Sequence, residues 1–353
     1  MRITTETALK EALAERASEG ELYEKMPADW VSCTACGHRC QIPPGKPGVC
    51  KVRFNRDGKL FVPRGYVSTL QVDPIEKKPF HHVLPGAQVL SFGMLGCDYH
   101  CSFCQNWLTS QSLRDPAAGI RPSDIPAEEI ITCATTQRTE VIASTYNEPL
   151  ITSEWAVEVF KMARPCGLRC AYVSNGNATL EALEYMRPWV DCCNIDLKSF
   201  RDRRYRELGG VLDRVLATIQ QAHEMGFWIE VVTLIVPGFN DSYEELRDIA
   251  DFVAGVSRDI PWHVTAFHPD YRMQDAARTR TEQLMDAARI GKESGLNFVY
   301  AGNLPGRVGD LENTLCPDCG VRLIQRIGYR IIENRIARGN CPDCSRPVPG
   351  IWS

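Results

Sequence analysis

Three thiols stand at Cys-x3-Cys-x2-Cys spacing in the stretch Gly96-Cys97-Asp98-Tyr99-His100-Cys101-Ser102-Phe103-Cys104, after the apolar run Val89-Leu90-Ser91-Phe92. Closely spaced thiolates on one loop can hold three corners of an iron–sulfur cubane. The fourth iron is then free to chelate a small molecule and pass it an electron. Zinc, or three unrelated buried thiols, is the plainer alternative, since free cysteine is among the most buried residue types.

Two further cysteine sets flank this one. Cys33, Cys36, Cys40 and Cys50 lie on a Pro/Gly-rich stretch with few apolar neighbours, and His38 could replace one ligand. Four such groups can close a tetrahedral zinc site around loops with little core, or hold an auxiliary iron–sulfur cluster. Cys316-x2-Cys319 and Cys341-x2-Cys344 form a pair of knuckles around a hairpin-like segment, Leu323–Tyr329 and Arg330–Asn334. That pattern resembles a rubredoxin-type or zinc-ribbon module, with zinc as a structural ion or a single iron as an electron relay. The remaining thiols, Cys133, Cys166, Cys170, Cys192 and Cys193, sit in helix or strand patterns and read as small hydrophobes.

With 44% apolar residues and a formal charge of −4, the chain has no basic excess that would suggest a nucleic-acid surface. Arg322, Arg326, Arg330, Arg335 and Arg338 are the only candidates for a basic patch on the C-terminal module. No apolar run approaches the roughly 18 residues of a membrane span, and Met1–Thr7 lacks the apolar core of a signal peptide. These features place the chain in the cytoplasm, where clustered thiols are metal ligands rather than disulfides.

The elements that must position these groups follow from periodicity. Apolar runs at Val89–Met94, Val141–Tyr146, Ala171–Ser174, Cys192–Leu197, Ile229–Val236, Val264–Phe267 and Phe298–Tyr300 read as strands. Between them lie amphipathic stretches at Ala127–Gln137, Ser153–Ala163, Thr179–Met186, Leu212–Met225, Tyr243–Val253 and Thr281–Ser294. Such βα repeats predict an α/β fold with a parallel sheet, either a partial (β/α)6 barrel or a doubly wound open sheet. The expected divisions are a helical extension at 1–30, a cysteine module at 31–60, the barrel at 61–310 and the four-cysteine module at 311–353.

Polar groups follow the strand ends, where parallel α/β proteins build their sites. Tyr146-Asn147-Glu148-Pro149, Ser174-Asn175-Gly176-Asn177, Asp196-Leu197-Lys198 and Phe267-His268-Pro269 occupy successive rim positions. Of His263 and His268, the latter is expected at the rim. The segment Asp73-Pro74-Ile75-Glu76-Lys77-Lys78-Pro79-Phe80-His81-His82 is either a plain charged loop or a guard of the site. Val236-Pro237-Gly238-Phe239-Asn240-Asp241 reads first as a structural turn, with a substrate-facing segment as the alternative. Bland roles are available for some rim residues: Asp196 and Lys198 as a surface ion pair, Asn147 and Glu148 as a turn and helix cap.

Together these motifs resemble the pyruvate formate-lyase activating-enzyme branch of the radical S-adenosylmethionine (SAM) superfamily. More closely, the chain resembles the AmmeMemoRadiSam system radical SAM enzymes, over nearly all residues after about 30. The resemblance implies a [4Fe–4S] cluster on Cys97, Cys101 and Cys104, with SAM chelated at the open iron. It places Phe103 against adenine, Asn147 and Glu148 at the SAM amino group, Lys198 near the carboxylate beside Asp196, and His268 as a further SAM contact; Asn175, at the rim after its strand, is a further candidate for cofactor binding. The usual Gly-Gly-Glu turn reads Tyr146-Asn147-Glu148 here. A reducing partner such as flavodoxin or ferredoxin is implied, and the substrate is open: a glycyl radical enzyme, a small molecule or another macromolecule. Transfer of an aminocarboxypropyl group is the alternative chemistry, and a non-catalytic zinc or nucleic-acid scaffold the alternative class.

Overall fold

The computed structural model describes residues 5–353. Its centre is one eight-stranded sheet. We number its strands β1 (Thr69–Pro74), β2 (Gln88–Gly93), β3 (Val141–Ser144), β4 (Arg169–Ser174), β5 (Cys192–Asp196), β6 (Trp228–Ile235), β7 (Trp262–Ala266) and β8 (Val299–Gly302). β2 to β8 run parallel in unbroken sequence order, and β1 caps the β2 edge antiparallel. All seven strands expected from apolar runs are present. The inner ones are buried on both faces, which is why they read as continuous hydrophobic segments.

The strand order decides between the two expected architectures. A doubly wound sheet reverses its order at a switch point, whereas this one never does. Right-handed crossovers repeated in one direction put every helix on the same face, so the sheet curls about the other. The connecting helices are Ala127–Thr136, Ser153–Ala163, Leu180–Met186, Leu212–Glu224, Tyr243–Val256 and Thr281–Glu293. The seven expected strands are joined by these six helices, and among the described residues no strand pairing joins β1 to β8, so the sheet is open on that side.

The N-terminal segment is less helical than its sequence suggests. Helix Thr5–Glu15 is followed by short strands in two three-stranded sheets, one formed by Ala17–Glu19, Lys59–Pro63 and Phe54–Arg56, the other by Tyr23–Lys25, Val31–Cys33 and Gln41–Ile42. Arg53, 1% exposed, anchors this region to helix Ser153–Ala163 through two bonds to Glu154 at 2.7 and 2.8 Å. At the C-terminus, β9 (Thr314–Leu315), β10 (Arg322–Ile327) and β11 (Arg330–Asn334) form a small antiparallel sheet.

A buried polar seam fixes that sheet to the barrel. Glu230 accepts from the backbone N–H groups of His81 and His82 and lies 2.6 Å from His263 Nε2. His82 bridges Pro349 O and Tyr300 Oη, and Arg326 donates to Thr314 Oγ1 and His81 O. Arg326 is thus 2% exposed, which removes it from the expected basic patch. Of the five non-clustered thiols, Cys170, Cys192 and Cys193 are buried, Cys133 is half-buried and Cys166 is exposed at the end of its helix rather than in a core. No described helix is long and apolar enough to cross a membrane.

Candidate active site

β2 ends at Gly93 and the chain turns through Gly96 into the three-cysteine loop. This loop is clamped from several sides. Arg114 donates to Cys97 O at 2.7 Å, Gln111 donates to Tyr99 O at 3.1 Å, and the His100 N–H reaches Leu208 O at 2.9 Å. Gly209 and Gly210 make that approach possible, since a β-carbon on either would run into the rings of His100 and Tyr99.

Cys97, Cys101 and Cys104 open into a cavity of about 380 Å³ at the C-terminal ends of the strands. Phe103, Asn147, Glu148, Asn175, Asp196 and Lys198 line the same cavity. Six of the seven expected cofactor-contact residues are therefore brought together around the thiols. His268 is not. β7 ends at Ala266, the Phe267 N–H is held by Thr279 Oγ1 at 2.9 Å, and His268 turns out to solvent. Thr265, three residues earlier, lines the cavity in its place. His263 is committed to Glu230 at the other end of the barrel.

The electrostatics are uneven around the cavity. Glu148 caps the short helix Pro149–Thr152 by accepting from Leu150 N, and also accepts from Ser174 Oγ and Asn175 N at 2.7 Å each. Burial, together with the neighbouring Asp98 carboxylate, still lifts its pKa to about 8. Asp98 is fully buried and held by the side-chain amides of Asn175 and Asn177 at 2.7 and 2.8 Å. The Asn175 amide is thus spent on orienting Asp98. Lys198 pairs with Asp196 at 2.8 Å, and that partner outweighs burial to hold the ammonium well above its ordinary value. Asn240, from the expected structural turn, ties Lys198 O to Leu234 O. Phe103 packs edge-on against Phe239, centroids 5.3 Å apart.

The segment expected as a charged loop or a guard of the site, and the Tyr146 turn, both contribute to the cavity wall, whereas Tyr329 had no signal in the sequence. Tyr146 has φ 70°, a left-handed conformation rare for a bulky side chain and costing about 1–3 kcal/mol. Its hydroxyl receives Lys78 Nζ at 3.0 Å. Lys77, Lys78 and Pro79 line the mouth, while His81 and His82 from the same segment lie in the buried seam below. Burial lowers the Lys78 pKa. Tyr329, from the hairpin turn between β10 and β11, also reaches the mouth.

The thiols divide into two geometries. Among the described residues, only Cys316, Cys319, Cys341 and Cys344 gather three or more His, Cys, Asp or Glu ligand atoms all within 4.8 Å of one another. A tetrahedral ion with metal–sulfur bonds of about 2.3 Å needs sulfurs about 3.8 Å apart, and the Cys316–Cys344 and Cys319–Cys341 sulfurs lie 3.5 and 3.7 Å apart. Among the described residues, Cys33, Cys36, Cys40 and Cys50 do not gather three ligand atoms within 4.8 Å of one another. They share a neighbourhood more loosely: burial raises the Cys36 thiol pKa well above its ordinary value, and Asp98, Cys33 and Cys50 nearby add to that rise.

A family model described as the radical SAM superfamily matches residues 93–253. An uncharacterized protein of Methanocaldococcus jannaschii is 37% identical over 334 residues, spanning 94% of this chain and 98% of that protein. The chain belongs to the radical SAM superfamily. The isethionate sulfite-lyase activating enzyme of Oleidesulfovibrio alaskensis is 27% identical over 122 residues, 33% of this chain and 40% of that one. Among solved structures, a domain of a pyruvate-formate lyase-activating enzyme from Bacteroides vulgatus aligns with TM-score 0.41 and 18% identity over 46% of this chain and 98% of its own. A radical SAM methyltransferase from Sphaerobacter thermophilus aligns with TM-score 0.48 and 16% identity over 62% and 67%.

This radical SAM protein is an enzyme, and its superfamily implies a [4Fe–4S] cluster and SAM. The donor set fits a cluster. Cys97, Cys101 and Cys104 are all free thiols, buried or half-buried at the cavity wall. Burial pushes the Cys101 thiol up to about 12 and raises the other two, so a bound metal is what would make them thiolates. In a cubane each cysteine takes its own iron, so the three sulfurs need not converge on one point. Tyr99 N–H donates to Cys97 Sγ at 3.3 Å, and Ser110 Oγ lies 3.2 Å from Cys104 Sγ.

Proposed function

We propose that this enzyme uses Cys97, Cys101 and Cys104 to hold a [4Fe–4S] cluster and positions SAM for reductive cleavage, in the manner of a glycyl radical enzyme activase. A bound cluster, held by these thiolates and reduced by an external one-electron donor, would supply the electron for cleavage of SAM to methionine and a 5′-deoxyadenosyl radical able to abstract hydrogen from a substrate. The observation carrying this reading is the convergence of three thiols, an aromatic wall, a carboxylate and a lysine on one cavity.

The chain's own groups divide the binding work. Phe103, stiffened by Phe239, offers a flat apolar face for adenine. Lys198 offers a positive charge to the SAM carboxylate while Asp196 holds it in place. Glu148, fixed by three donors, offers its carboxylate to the SAM ammonium, and Asn147 secures that turn by accepting from Met94 N at 2.9 Å. Val173, Val232 and Leu234 keep the inner wall apolar and exclude water from the reacting centre.

Cys33, Cys36, Cys40 and Cys50 are read as ligands of an auxiliary iron–sulfur cluster, because their looser spacing suits separate irons better than one shared ion. Cys316, Cys319, Cys341 and Cys344 are read as a single zinc or iron site.

The experiment is anaerobic reconstitution with iron and sulfide, dithionite reduction with SAM, and chromatography of the products. 5′-Deoxyadenosine from the wild type and none from Cys101→Ala supports the proposal. Methylthioadenosine would redirect it to aminocarboxypropyl transfer, and neither nucleoside from fully clustered protein with candidate substrates would refute it.

A further inference from the structure

The open side of the barrel lies between β1 and β8, and the C-terminal module touches both flanks. It meets the β8 side through Tyr300 Oη and Thr314 Oγ1 at 2.9 Å, and the segment after β1 through Arg326 and His81 O at 2.8 Å. Ile351 pairs with Val83, and a β-carbon on Gly86 would stand 3.3 Å from Ile331. The module is therefore a wall of the barrel, and its hairpin turn delivers Tyr329 to the mouth.

Besides the thiols, the cavity is lined by Lys77, Lys78, Tyr146 and Tyr329. Two ammonium groups here share one carboxylate: Asp73 Oδ1 takes Lys77 at 2.6 Å and Oδ2 takes Lys78 at 3.1 Å. The cavity's other acids are committed elsewhere, Asp196 to Lys198 and Glu148 to its three donors. Lys78 is only 5% exposed, its Nζ 4.5 Å from the centre of the Tyr146 ring. A desolvated lysine in a wall one negative charge short of neutrality is a place for an anion. None of these four residues is needed for the cluster or for the SAM contacts assigned above.

We propose that Lys77, Lys78, Tyr146 and Tyr329 form a subsite for an anionic group of the substrate, a carboxylate or a phosphate, with Tyr329 supplied by the four-cysteine module. This deepens the radical SAM reading and rests on it for the word substrate, but its test does not involve SAM cleavage.

The test is reductive methylation of the metal-loaded full chain without SAM, in phosphate, acetate or chloride at matched ionic strength. Labelling of individual lysines is read by mass spectrometry, with Lys161 on the outer helix as internal reference. Labelling of Lys77 and Lys78 is expected to slow about threefold or more at saturating anion, as mass action requires for an occupied site. Slowing by phosphate alone identifies a phosphate subsite, and slowing by acetate a carboxylate subsite. Rates equal to those in chloride for both anions overturn the proposal, whatever the enzyme does with SAM. Tyr329→Ala is expected to lose most of the protection, and full protection in that variant overturns the module's part in the subsite.

Discussion

Glu148 offers the sharpest test of how SAM is held. Burial and the Asp98 carboxylate raise its pKa to about 8. At pH 7 the ionised form is then the minor one, at a cost of about 1.4 kcal/mol, since one pKa unit is worth 1.36 kcal/mol. If the ionised carboxylate receives the SAM ammonium, apparent affinity at pH 7 is reduced about tenfold, by the fraction of competent protein. SAM affinity should therefore rise about tenfold between pH 7 and 9 in the wild type, relative to Glu148→Gln. Taking the ratio removes the ligand's own titration, which both proteins share. Equilibrium dialysis of clustered protein without reductant measures it. A ratio constant across this range would refute the assignment of Glu148 to the ammonium. The same shift has a stability consequence of definite sign. A raised carboxyl pKa gives a contribution fully present below the unfolded value, near 4.5, and lost as pH rises through about 8. Ligand-free wild type should thus lose stability over that window more steeply than Glu148→Gln in thermal melts.

The remaining predictions concern the flanking modules. Cys341→Ser should lose about one metal equivalent per chain by elemental analysis, since four converging sulfurs serve a single ion; unchanged metal content would remove the ion from that site. Arg53→Met leaves Glu154 as an unpaired buried charge and should cost about 3–5 kcal/mol, whereas the double replacement with Glu154→Leu should recover much of it. Denaturant midpoints measure this, and a midpoint unmoved in the single variant would mean the pair contributes nothing.

The fold was legible where one cause dominates. Strands β2 to β8 are covered by helices on one face and by core on the other, so apolar runs mark them. β1 was obscure because, as an antiparallel edge, it alternates Leu70 and Val72 with Gln71 and Asp73 at half-burial. The C-terminal four-cysteine cluster was legible because each Cys-x2-Cys knuckle fixes two thiols locally. The geometry of Cys33, Cys36, Cys40 and Cys50 depends on how two small sheets pack, and spacing does not encode that. His268 failed as a cavity residue because the strand stops at Ala266, a limit set by the distant Thr279. Tyr329 and Lys78 enter the site only through docking of the C-terminal module and of the segment after β1.

Tyr146 connects these levels, and its backbone can be tested directly. The resemblance to activating enzymes implies Gly-Gly-Glu at this turn, and φ of 70° at Tyr146 is a conformation that glycine adopts without strain. Tyrosine is retained there at a local cost, and its ring shields Lys78 in return. Two variants separate the backbone from the ring, because both remove the ring but only Tyr146→Gly also relieves the strain. Tyr146→Gly should therefore be more stable than Tyr146→Ala by about 1 kcal/mol, the reverse of the usual preference, which favours alanine through the unfolded chain. Both should leave Lys78 faster to methylate than in the wild type. Alanine as the more stable replacement would mean that the turn is not left-handed, and the account of why a tyrosine is strained into this wall would fall with it.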